Sequence, residues 1–246
     1  MPHACDYPFR MIEASNLKKS FGAVQAVRDL TFQALDGKIT GLLGSNGAGK
    51  TTTLRMICGV LQPDHGSVRV DRAIGALLDH IGLYPRLTAR ENLAYFGELR
   101  GIPASQLTQR IDQVIRQLGM ETIADRRTAG FSQGERMKTA LARTILHSPQ
   151  NIVLDEPGNG LDIPSVRALR ASLRQMRDAG MCIVLSSHIL EEIRILCDQV
   201  VMVAGGRVVA QGSPEDLCRE TDTASLEDAF VQLTGRQETL ECSATH

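Results

Sequence analysis

Net charge is nearly absent from this sequence. Its 246 residues carry 27 lysines and arginines against 28 acidic residues, a formal charge of -1, which excludes a broad surface built to neutralise nucleic-acid phosphates. Paired cysteines are missing too: the six, at 5, 58, 182, 197, 218 and 242, include no CxxC pair and no His/Cys spacing suited to zinc, so reduced and mostly buried thiols are expected. No apolar run approaches the roughly 18 residues that span a bilayer, and no basic stretch followed by an apolar one opens the chain. The chain is therefore expected to be neither exported nor membrane-spanning, while remaining able to dock on a protein that is. Internal repeats, low-complexity tracts and sustained heptads are also lacking, and 43% apolar with 22% charged residues describes an ordinary globular chain.

What is present is an alternation of short apolar runs with helical patterns. Residues 11–17 and 26–35 read as strands, with Asp36-Gly37 turning into a third over 38–43, an antiparallel edge ahead of the main sheet. From Ile39 to Cys58 an apolar strand runs through a glycine-rich turn into a helix, and residues 151–154 and 181–185 repeat short buried strands between helices. That alternation implies a parallel sheet covered by helices. Between about 80 and 148 the pattern is helical: Thr88 and Glu91 make a capping box ahead of Leu93, Tyr95, Phe96 and Leu99. Ile111, Val114, Ile115 and Leu118 then follow one helical face ending at Gly119. A helical lobe inserted into an α/β core is expected. Residues 199–203 and 207–211 form a hairpin about Gly205-Gly206, and Ser213 with Pro214 opens a terminal helix. Arg167, Arg170, Arg174 and Arg177 recur at helical spacing beside Val166, Leu169, Leu173 and Met176, which predicts a solvated arginine face rather than a nucleic-acid patch.

Two motifs carry chemistry. Gly44, Ser45, Asn46, Gly47, Ala48, Gly49, Lys50 and Thr51 match GxxxxGK[ST], between an apolar strand and a helix as that pattern requires. Glycines let successive backbone N–H groups converge on phosphate oxygens, the helix N-terminus adds positive potential, Lys50 reaches the outer phosphates, and Thr51 can ligate magnesium. Thr52, next along the helix, completes the ATP-binding set. The second motif is Asp155-Glu156 at the end of the buried run 152–154, where open sheets place ligands. There Asp155 would hold Mg2+ and Glu156 would polarise the attacking water. An acidic pair merely ending a strand in solvent is the structural alternative.

Between these motifs Phe131, Ser132, Gln133, Gly134 and Glu135 lead directly into a helix and resemble the LSGGQ signature of the ATPase subunits of ABC transporters. The resemblance extends from about residue 11 to 212. It implies a P-loop NTPase fold with a mostly parallel core sheet, an antiparallel β subdomain and the helical lobe. It implies ATP and Mg2+ as ligands, and two chains sandwiching two nucleotides head to tail, with Ser132 and the signature helix gripping the ATP of the partner. Asp162, in the run 158–162, matches the loop that crosses that dimer interface. His188 matches the switch histidine at the γ-phosphate, with Lys50 and Glu156 completing the catalytic set, and Phe21 matches the aromatic that stacks on adenine.

Three positions depart from the family pattern. Asp79 stands where a glutamine is usual, with His80 the alternative in a shifted register; Gln133 replaces a signature glycine, and Gly158 stands where serine or threonine is common. Asp79 can still reach the magnesium shell, but a carboxylate only accepts hydrogen bonds. The expected organisation is a leader at 1–10, an ABC ATPase domain at 11–235 with the lobe at about 80–148, and a polar tail at 236–246. The expected role is a peripheral ATPase on the cytoplasmic face of the membrane, powering export through a separate integral membrane permease. Asp79, the Phe-Ser-x-Gly signature, residues 159–162 and the stretch 188–198 look most like the sodium-export branch. Drug or other exporters, a soluble ABC ATPase acting on DNA or the ribosome, and a kinase or GTPase sharing only the phosphate loop are the rival readings; no nucleic-acid partner is expected.

Overall fold

In the computed structural model, which describes residues 11–78 and 82–243, β1 (Met11–Phe21) folds back on β2 (Val24–Leu35) as an antiparallel hairpin. The tight connection needs left-handed backbone, which Gly22 supplies at φ 58°. Leu30, Phe32 and Ala34 alternate along β2 onto the buried face. The chain passes Gly37 and enters β3 (Ile39–Leu43), whose five residues are all buried. α1 (Lys50–Ile57) follows, then β4 (His65–Val70) and β5 (Ile74–Leu77). Next come α2 (Ala89–Leu99), α3 (Ala104–Gln117) and α4 (Gln133–Ile145). The chain returns through β6 (Asn151–Leu154), α5 (Ile163–Asp178), β7 (Cys182–Ser187), α6 (Leu190–Leu196), β8 (Gln199–Ala204), β9 (Arg207–Gly212), α7 (Pro214–Thr221) and α8 (Leu226–Ser243).

The strands make one nine-stranded sheet in the order β4-β1-β2-β9-β8-β3-β7-β6-β5. Its core, β8-β3-β7-β6-β5, is parallel throughout. β4-β1-β2 is antiparallel and reaches the core through β9, which pairs parallel with β2 at Asp29 and Arg207 and antiparallel with β8. This is the mixed α/β sheet with an antiparallel edge that the apolar runs predict.

Alternation along the core strands divides the interior in two. Ile152 and Leu154 of β6, Ile183 and Leu185 of β7, and Val200 and Met202 of β8 face the cluster that includes the lobe helices. Val153, Cys182, Val184, Val201 and Val203 face the other cluster, where Leu54, Met56 and Ile57 of α1 meet Leu30 and Phe32 of the hairpin. The sheet thus curls around α1, and this curl brings the β1–β2 hairpin beside the start of that helix.

The expected capping box is present, with Thr88 accepting from the Glu91 N–H and Glu91 accepting from the Thr88 N–H. Ser213 caps α7 with Pro214 in its first turn, as predicted. Several expectations need correction. β4 and β5 carry weak signals: β4 is mostly exposed, and β5 contains Gly75, where a Cβ would overlap the Thr144 carbonyl. The terminal helix is two helices, because Asp222 turns left-handed (φ 54°) and ends α7. The backbone of α8 runs to Ser243, into the stretch assigned to a polar tail. The leader at 1–10, Asp79 and His80 lie outside the described residues.

The arginine face of α5 is partly engaged rather than simply solvated. Arg174 donates to the Ile195 carbonyl at 2.8 Å, and Arg177 pairs with Asp198 at 3.3 Å, tying α5 to the turn between α6 and β8. Among the described residues Cys58, Cys182, Cys197 and Cys218 are free thiols, and burial pushes Cys58 and Cys182 up to about 12, so neither is a thiolate at neutral pH.

Candidate active site

Three adjacent strand ends build the site. In the parallel ladder Leu43 of β3 sits opposite Ser187 of β7, and Leu154 of β6 sits opposite Leu185. The loop after β3, the Asp155-Glu156 pair after β6 and the Ser186-to-His188 turn of β7 therefore leave the sheet side by side. That is where parallel sheets hold ligands.

The loop at 44–49 reaches α1 through Gly47 (φ 82°) and Gly49 (φ 101°). A Cβ on Gly49 would lie 2.5 Å from the Ala26 carbonyl oxygen of β2, and one on Gly44 would overlap the Val203 carbonyl. Only glycine fits at either place. Gly49 caps α1 without a side-chain hydrogen bond, and no acidic residue occupies the first turn. Among the described residues no acceptor meets the backbone N–H groups of Gly47, Gly49, Lys50, Thr51 and Thr52. Lys50 is 6% exposed; its Nζ donates to the Gly44 carbonyl at 2.7 Å and the Ser45 carbonyl at 3.2 Å. Unmet N–H donors around a buried ammonium at a helix start suit a polyphosphate.

The Thr51 hydroxyl donates to Asp155 Oδ2 at 2.7 Å. The other Asp155 oxygen accepts from the Ser186 hydroxyl, which in turn accepts the Glu156 N–H at 2.9 Å. Hydroxyl and carboxylate side by side form the all-oxygen donor set that magnesium takes. Glu156 has left-handed backbone (φ 48°), a conformation costing about 1–2 kcal/mol for a residue with a Cβ. It aims the side chain so that Oε1 lies 3.5 Å from Lys50 Nζ and Oε2 lies 2.5 Å from His188 Nδ1. Five sequence-selected residues, Lys50, Thr51, Asp155, Glu156 and His188, thus form one continuous network. Ser186 joins it without having been selected; the discoverable signal was a small hydroxyl residue at the end of a buried strand neighbouring the acidic pair.

The remaining selected residues lie elsewhere. Phe21 is half-exposed near the hairpin tip, with the Lys19 ammonium 5.9 Å from its ring centroid. Phe131 is buried beneath Arg126 and belongs to the core rather than to a surface. Ser132 caps α4 and accepts the Glu135 N–H at 3.2 Å, while Glu135 accepts the Ser132 N–H at 2.8 Å and pairs with Arg126 at 2.6 Å. The Ser132 N–H, with Arg126 adding to it, holds the Glu135 carboxyl below the usual range. Gln133 fills its glycine-like position by donating to the Asn159 carbonyl at 3.0 Å. Gly134 lets α4 approach α5, since a Cβ would overlap the Ser165 hydroxyl. Asp162 caps α5, and its hydrogen bonds from Ser165 lower its carboxyl pKa.

Comparison with known proteins agrees with the fold. Residues 27–159 match the protein family described as ABC transporter. The ABC transporter ATP-binding protein NatA of Bacillus subtilis (strain 168) is 40% identical over 221 residues, 85% of this chain and 90% of that protein. The Nod factor export ATP-binding protein I of Paraburkholderia xenovorans (strain LB400) is 36% identical over 94% of this chain and 84% of its own. A solved structure of the ATP binding subunit of an ABC transporter superposes with a TM-score of 0.81 at 29% identity, covering 91% of this chain and 99% of that one.

Proposed function

The chain belongs to the ABC transporter family, and we propose that it works as one of two ATPase chains that close on ATP and drive a separate integral membrane permease. As an ABC ATP-binding subunit of the exporter type it is an ATPase. The observation that carries the residue roles is the unbroken network from Lys50 through Glu156 to His188, beside Thr51 and Asp155.

The N–H groups at the start of α1 and the Lys50 ammonium hold the phosphate tail, and exposed Phe21 offers its ring face to the adenine. Thr51 and Asp155 would hold Mg2+, with Asp79 a further candidate, and the ion would neutralise charge on the phosphates. In the structure Lys50 bonds the carbonyls of its own loop and faces Glu156 Oε1. Turning Lys50 towards phosphate frees that oxygen to accept a proton from the attacking water. His188 keeps the other carboxylate oxygen in place and is positioned to meet the γ-phosphate. Glu156→Gln should keep ATP binding, lose about 100-fold or more of turnover, and trap an ATP-bound pair of chains. Hydrolysis by that variant at the parental rate would remove Glu156 from this role.

Ser132 and the α4 terminus would face the nucleotide of the second chain, with Asp162 crossing between them. No helix among the described residues is long and apolar enough to cross a membrane, and a separate integral membrane permease is the partner that this reading assigns. Its docking place is the exposed side of the lobe, where Tyr84 and Tyr95 pack edge to face at 5.0 Å between centroids. Asn92 pins that surface by accepting the Tyr84 N–H at 2.8 Å and donating to the Thr88 carbonyl at 2.8 Å. On this reading the chain sits at the cytoplasmic face of the membrane. Sodium ions are the proposed cargo, on the likeness of residues 131–134, 159–162 and 188–198 to the sodium-export branch. Proteoliposomes holding the chain with its permease should show ATP-dependent sodium flux that Glu156→Gln abolishes; ATP hydrolysis without sodium movement would turn the reading towards drug or other export.

A further inference from the structure

Glu192, in the first turn of α6, touches both the His188 turn and the loop that begins at Gly158. Its half-buried carboxylate accepts the Ser187 hydroxyl proton through Oε2 at 3.2 Å, and the same Ser187 oxygen accepts the Ile189 N–H at 3.0 Å. Ser187 is buried and directly precedes His188. No cation pairs with Glu192 among the described residues. Instead its carboxylate lies over the Cα of Gly158: a Cβ built there would be 2.8 Å from Oε2 and closer still to Oε1. Gly158 opens the loop that carries Asn159, bonded by Gln133, to Asp162 at the head of α5.

A side chain at 158 can be accommodated only by driving this carboxylate away. The carboxylate is the far end of a flexible side chain, so it can move, but moving it breaks the hydrogen bond that shapes the His188 turn. Gly158 and Glu192 are therefore a matched pair, and the absence of a side chain at 158 acquires a physical reason. We infer that Glu192 is a positioning residue that couples the His188 turn to the 158–162 loop, so that a displacement of either is transmitted to the other. The inference rests on the ATPase reading of the same site and adds to it a path from the reacting end of one chain towards the loop proposed to meet the second chain.

Hydrogen–deuterium exchange on the full, nucleotide-free chain, with steady-state ATP hydrolysis alongside, tests this on Glu192→Ala, Glu192→Gln, Gly158→Ser and the double variant Gly158→Ser/Glu192→Ala. Glu192→Ala should speed exchange in both 158–162 and 187–190 and lower kcat about 5-fold while leaving KM for ATP within about 2-fold. Glu192→Gln keeps an acceptor for Ser187 and should restore both readouts. Gly158→Ser should mimic Glu192→Ala, and the double variant should be no worse than either single change, whereas independent positions would multiply to about 25-fold. Unchanged exchange at 158–162 in Glu192→Ala, or multiplied losses in the double variant, overturns the coupling. Should the parental chain hydrolyse no ATP, the proposed function fails while the exchange comparison still decides the coupling.

Discussion

The starts of α1 and α4 share a sequence style, small residues and glycine running into a helix, yet they end in opposite electrostatic states. At α1 the cap is Gly49 with no side-chain cap hydrogen bond, no residue of the helix's own first turn is acidic, and a buried ammonium stands beside unmet N–H groups. At α4, Ser132 and Glu135 close a capping box, and the Glu135 carboxylate is countered by Arg126 rather than by the helix alone. A helix N-terminus favours an anion by about 0.3–1 kcal/mol when its donors are available. The first terminus keeps that capacity for a ligand, and the second already uses much of it within the chain. This contrast fits the proposed roles, with the start of α1 as the primary nucleotide contact and the start of α4 as a weaker second one.

The sharpest way to break that contrast is Lys50→Ala. Removing a buried cation that makes charged hydrogen bonds of about 1.5–3 kcal/mol should weaken ATP binding by about 10-fold or more, measured by calorimetry. Unchanged affinity would mean the α1 terminus is not the primary site. Ser132→Ala should leave the ATP affinity of an isolated chain as it is while costing about 1 kcal/mol in urea stability through the lost cap, and should reduce ATP-driven pairing. An equal fall in single-chain affinity would place both termini on the same nucleotide. The smallest effect is acid sensitivity. Because the folded Glu135 carboxyl lies below the ordinary value of about 4.3, its contribution is complete above that value and is lost as pH falls through the lower folded one. Helix α4, followed by exchange between about pH 5 and pH 3, should loosen in the parental chain and less so in Glu135→Gln; α1, lacking an acid in its first turn, should show no matching step.

Much of this was legible in sequence because it is local. The loop at 44–51 declares itself through spacing, since a glycine-rich turn between strand and helix is written in consecutive residues. The box at Thr88 and the cap at Ser213 are likewise closed within four residues. β4 and β5 escaped because their partners supply what their own patterns lack: β4 is an exposed edge on β1, and β5 is a four-residue strand laid against β6. The segment 131–135 runs into α4 as expected, but the family pattern did not separate Phe131, which packs inward, from Ser132, which stays at the surface as a cap.

The sequence by itself determined the parallel core, the phosphate loop, the acidic pair and the order in which they follow one another, since periodicity and spacing along the chain encode them. Only the tertiary structure decided that Ser186 bridges Asp155 to Glu156, that Glu156 adopts a left-handed backbone to meet His188 and Lys50, and that Glu192 fills the space above Gly158. Those contacts join residues about 30 to 100 positions apart. The curl and register of the sheet bring them within hydrogen-bond distance, and no pattern of neighbours along the chain records it.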